Sequence, residues 1–84
     1  MNSGQPVRLT STGAISAQAG NLIGFYVAST TAGTIVLRDG GGSGTQVTGT
    51  ITPAAGWHYL HMEFSTSAHA TIANTLDVTF VFAP

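Results

Sequence analysis

From Leu76 to Phe82 the chain alternates without a slip: Leu76, Val78, Phe80 and Phe82 fall on one side, Asp77, Thr79 and Val81 on the other. A period of two is the signature of a strand with one face on a core and the other turned to solvent or a partner. His58–Phe64 repeats the pattern, with Leu60, Met62 and Phe64 on the apolar side. Thr34–Asp39 is a β-branched and aliphatic run closed by Gly33 and Gly40. Further strand candidates span 7–10, 13–18, 22–29, 45–52 and 69–74. No window of helical length places apolar residues at i, i+3 and i+4 without glycine or a β-branched residue intervening, and the thirteen threonines favour a pleated surface over a helix.

Turn-forming clusters at Ala19–Asn21, Thr30–Gly33, Gly40–Gly44, Pro53–Gly56 and Thr66–Ser67 separate these runs. Their spacing, about 8–12 residues, is that of a sandwich or small barrel. The expectation is therefore an all-β fold, a small antiparallel β-sandwich with a jelly-roll-like path. It would have about seven or eight short strands and essentially no helix. Gly24 and Gly49 read as bends that let short strands curl around a small core. The chain is expected to be one domain over 1–84, with 1–6 as a flexible or partner-bound arm.

Burial in so small a domain is marginal, and such domains usually add disulfides, a metal or oligomerisation. Cysteine is absent, and no ligand cluster suggests a structural metal. Oligomerisation is the route left. Charge points the same way: Arg8, Arg38, Asp39, Glu63 and Asp77 are the whole inventory, 6% of the chain, where a soluble domain carries roughly 25%. A surface of threonine, serine, glycine and alanine suits a subunit packed against neighbours better than a free monomer.

Two distant arginines make no basic stripe, so no nucleic-acid partner is expected. No stretch is apolar enough for a membrane span. The start, Met1 to Pro6, has neither the basic nor the apolar region of a signal peptide.

No catalytic chemistry is expected. Asp39–Thr45 is glycine-rich, but no lysine follows it and no helix opens after it, so it is a turn rather than a phosphate cradle. There is no G-x-S-x-G elbow, and three acids leave little for a paired-carboxylate hydrolase. On a strand His58 and His61 face opposite ways, whereas His61 and Glu63 share a face that His69 could join. Zinc wants three or four converging ligands, and scattered histidines do not supply them. No cofactor is expected. Trp57 heads the cluster Trp57-His58-Tyr59 after the turn Thr52–Gly56. It is expected in the core or at an interface, where tryptophan and tyrosine are enriched, ahead of a ligand platform. The interface candidates are Trp57, Tyr59 and Arg38.

The stretch Gly20-Asn21-Leu22-Ile23-Gly24-Phe25-Tyr26-Val27 through Thr34-Ile35-Val36-Leu37-Arg38-Asp39-Gly40, with Gly49–Tyr59 and Thr75–Thr79, resembles small all-β structural proteins of tailed bacteriophages. The resemblance covers about two thirds of the chain and transfers no functional residue. It implies a non-enzymatic virion protein, first of all a capsid decoration (cement) protein. Such a protein would bind the major capsid protein on the outer head surface as a homotrimer, after synthesis in the host cytoplasm. A neck or tail adaptor shares the same features. A carbohydrate- or receptor-binding module of a fibre or spike, using Trp57, His58 and Tyr59, is the alternative from another class.

Overall fold

The computed structural model describes residues 5–83. The chain forms β1 (Gln5–Leu9), β2 (Gly13–Ser16), β3 (Gly20–Asp39), β4 (Thr45–Gln46), β5 (Gly56–Phe64) and β6 (Ala68–Ala83). All pair antiparallel in one sheet, with no helix among the described residues. The antiparallel all-β expectation holds. Of the arm expected at 1–6, Met1 to Gly4 lie outside the described residues; Gln5 and Pro6 pair with Phe82 and Val81 in β1.

The strands are fewer and longer than their sequence punctuation suggests. The candidates at 22–29 and 34–39 run together in β3, and those at 69–74 and 76–82 in β6. Thr30–Gly33 is therefore a bend inside a strand, not a connection. The reason lies in the partner. Thr31 and Ala32 both face Thr75, so the ladder takes up one extra residue and continues. Ala32 (φ 55°) and Asn74 (φ 63°) turn the two backbones in step, a left-handed conformation that asparagine tolerates better than most residues. The Asn74 amide donates to the Ala32 carbonyl (2.8 Å), and the Gly33 N–H donates to the Thr30 hydroxyl (3.1 Å). Both bonds knit the bend. The expected strand at 45–52 shrinks to Thr45–Gln46 plus a single bridge between Ile51 and Ile35.

β3 and β6 thus form a bent spine. On one side of the bend β5 and β1 flank it, and on the other β4 and β2 do. The inward stripe follows the alternation: Leu76, Val78, Phe80 and Phe82 on β6 are buried, as are Phe25, Val27, Ile35 and Leu37 on β3. These side chains from both sides of the bend join one cluster, with Phe25 tilted against Phe80 at 5.7 Å and Phe64 against Phe82 at 6.2 Å. No polar or charged residue is buried among the described residues. Cohesion of the core is therefore apolar contact alone, with backbone ladders satisfying the polar main chain.

Candidate interaction face

The outward stripe of β5 carries Trp57, Tyr59, His61 and Glu63, all exposed. Opposite Trp57 in the ladder stands Tyr26, and opposite Tyr59 stands Gly24. Two features of β3 set this up. First, a register shift between Leu22 and Gly24 reverses the strand's alternation, so Phe25 points into the core and Tyr26 points out. Second, Gly24 leaves room for the indole. A Cβ at that position would stand 2.8 Å from Trp57 Cζ2 and 2.6 Å from the His58 carbonyl oxygen. The six-membered ring of Trp57 therefore lies over bare backbone. Substitution of Gly24 by alanine should displace the ring and strain β5, costing about 1–3 kcal/mol; a urea titration of the variant would read it.

Tyr26 is 50%, Trp57 49% and Tyr59 74% exposed, the large side chains least expected outside in a domain with so little core. None of the ring–ring contacts among the described residues joins these three. No hydrogen bond within the described molecule engages either phenol or the indole N–H. Towards the spine the face continues as Val81 beside Gly24 and Thr79 beside Tyr26, then Pro6 and Arg8. Arg8 is neutralised there. Its Nε and Nη2 donate to the two carboxylate oxygens of Asp77 at 2.9 and 2.8 Å. That contact raises the Arg8 pKa and lowers that of Asp77. The face is aromatic and nearly without net charge, with Glu63 at its far corner.

Of the three interface candidates, the structure brings Trp57 and Tyr59 together. Trp57 lies half exposed on the sheet's outer surface and not in the core. Arg38 sits beyond the bend, opposite His69 and Gln46, where it donates to the Gly44 carbonyl (3.3 Å). His58 turns inward, stacked on Phe25 at 5.2 Å, and its Nε2 donates to the Ala54 carbonyl (2.7 Å). It fastens the turn before β5 and takes no part in the aromatic face. Tyr26 had no place among the candidates, although the adjacent pair Phe25-Tyr26 within a strand requires one ring to face outward. His69 pairs with Ala14 and Arg38 and does not reach the His61–Glu63 stripe. Among the described residues no three ligating side chains come together, and no pocket opens. No helix there is long and apolar enough to cross a membrane.

The chain matches no family model, no curated protein and no solved structure.

One further ionised group shapes the fold. The Asp39 carboxylate, at the end of β3, accepts the N–H groups of Ser65, Thr66 and Ser67 and the Ser65 hydroxyl, at 2.9 to 3.2 Å. The bonds from Ser65 above all hold its pKa down to about 2, against an ordinary 3.8. A depressed carboxylate contributes stability that is complete above the unfolded-state value and lost as pH falls through the folded one. Urea midpoints should therefore hold above about pH 4 and fall between pH 4 and 2. Asp39→Asn should lower the neutral-pH midpoint and flatten that fall, leaving the smaller share from Asp77; an unchanged acid limb would remove Asp39 from the account.

Proposed function

We propose that this chain is a non-enzymatic virion structural protein, a capsid decoration protein. It would bind the major capsid protein on the outer head surface as a homotrimer. The observation that carries this reading is the charge-poor exterior of a small body with open strand edges. Arg8, Asp77 and Asp39 are spent on internal contacts and Arg38 on a loop carbonyl, so little charge is left to keep a lone copy apart from its neighbours. Among the described residues β1, β2, β4 and β5 each pair on one side only. Free edges invite pairing, and a closed ring of copies hides them. The resemblance to small tailed-phage proteins adds the place of work.

We further infer that the bent sheet works as a two-layer sandwich. A single cluster drawn from both sides of the bend needs cover on both faces, and the sheet itself is all that can supply it. The shortest dimension of the body, 17 Å, suits two layers about 10 Å apart and exceeds one. A rigid body of this kind clamps neighbouring capsomers mechanically. Contacts present only in the assembled lattice stabilise that lattice by mass action.

Native mass spectrometry of the chain at micromolar concentration is the first test, and a dominant trimer is expected. Heads assembled without the protein should bind it and then release DNA at a higher temperature than undecorated heads. A stable monomer that ignores assembled heads would overturn the reading.

A further inference from the structure

We infer that the face built by Tyr26, Trp57 and Tyr59 around Gly24 binds a neutral oligosaccharide, whose rings lie flat against the aromatic side chains. Size argues first. From strand spacing and rise, the face measures roughly 15 Å by 15 Å, on the order of 200 Å². A stable protein–protein contact needs about 800 Å² from each partner, so a second copy or another folded protein would have to reach well beyond these residues. A face of this size is small for a protein partner, but it gathers three large aromatic side chains in one place, and the largest exposed patch of a monomer is often functional.

Chemistry argues next. An apolar protein surface laid over this face would bury the Tyr26 and Tyr59 hydroxyls and the indole N–H without partners, at the desolvation penalty of each group. A sugar avoids that penalty, because its ring presents C–H groups to an aromatic face and hydroxyls around the rim. Glu63 and His61, next along the same stripe, add an acceptor and a further polar group at one end. Among the described residues of the face the one cation, Arg8, is paired with Asp77 and offers no free site to a phosphate or sulfate, so the ligand class is neutral. With no enclosing pocket, binding is shallow and its affinity is expected near the millimolar range, about −4 kcal/mol. This inference is independent of the virion assignment.

Trp57 is the only tryptophan, so its fluorescence reports directly on the face. The experiment titrates the full chain with cellohexaose, maltohexaose and chitohexaose up to about 10 mM, reading tryptophan emission and backbone amide shifts. At least one sugar should change the emission saturably and shift amides of Gly24, Tyr26, Trp57 and Tyr59 together. Tyr59→Ala, whose side chain is largely exposed and carries little of the fold, keeps the reporter and should weaken that sugar about tenfold. Three outcomes overturn the inference: no emission or amide change with any of the three sugars on folded protein, shifts confined to residues outside the face, or a Tyr59→Ala variant that binds as the parent does. An emission change on raising protein concentration without sugar would instead assign the face to a second copy.

Discussion

Phe80→Ala should leave the chain largely unfolded at room temperature. Phe80 is fully buried in the C-terminal part of β6, paired on one side with Val7 of β1 and on the other with Phe25 of β3, whose ring it meets at 5.7 Å. Truncating a buried phenylalanine costs about 3–5 kcal/mol, the lost transfer energy plus the cavity left behind. A chain of this length has a total stability of about 4–12 kcal/mol, and the lower part of that range is the natural place for a small domain without cross-links. Collapse into the gap is also resisted, because β6 around Phe80 is held by ladders to β1 on one side and β3 on the other. Loss of the far-UV β signal and of a cooperative melt would confirm the expectation. A variant retaining most of the parent's urea midpoint would mean that the cluster repacks, and that Phe80 is not its keystone.

The second large effect belongs to the bend. A Cβ on Gly33 would lie 2.7 Å from the Leu76 Cβ, 2.7 Å from the Thr75 carbonyl oxygen and 2.9 Å from the Thr30 hydroxyl. Two of these neighbours are fixed to the backbone of the same bend and cannot swing away. Gly33→Ala should therefore cost about 1–3 kcal/mol through overpacking, and Gly33→Val more. The location makes the effect more than local. Leu76 is part of the buried cluster, so pushing the two backbones apart here disturbs that cluster as well as the bend. A calorimetric melt of Gly33→Ala should show a lower and broader transition than Thr34→Ala, the substitution next to it on a partly exposed outward position. Equal melting of the two variants would show that the bend tolerates a side chain.

Much of the fold is legible in the sequence, for a local reason. Side-chain direction in a strand is fixed residue by residue, so Leu76, Val78, Phe80 and Phe82 could be assigned to one face without knowing what covers it. The buried stripe of β6 and the inward Leu60, Met62 and Phe64 of β5 follow directly. The same rule separated His58 from His61. Strand limits were less readable. Thr30–Gly33 and Asn74 carry turn chemistry, yet a turn and a bend use the same residues. Only the partner strand decides between them, and here β6 bends in step with β3 and keeps the ladder whole.

The aromatic face was half visible. Trp57 and Tyr59 lie two apart and share a side on any strand. Their exposure, however, depended on which way β5 turns its apolar stripe, and Tyr26 joins them only because of the register shift at Leu22–Gly24. Arg38, the third interface candidate, lies beyond the bend, away from this face.

By itself the sequence determined an all-β chain, its apolar stripes and its poverty of charge, because alternation and composition act within a few residues or on the chain as a whole. The tertiary structure alone decided that β3 and β6 run unbroken through a shared bend, and which outward side chains meet. Both are cross-strand facts: register and bulges are set by pairing between segments distant in the chain, and no single segment contains them.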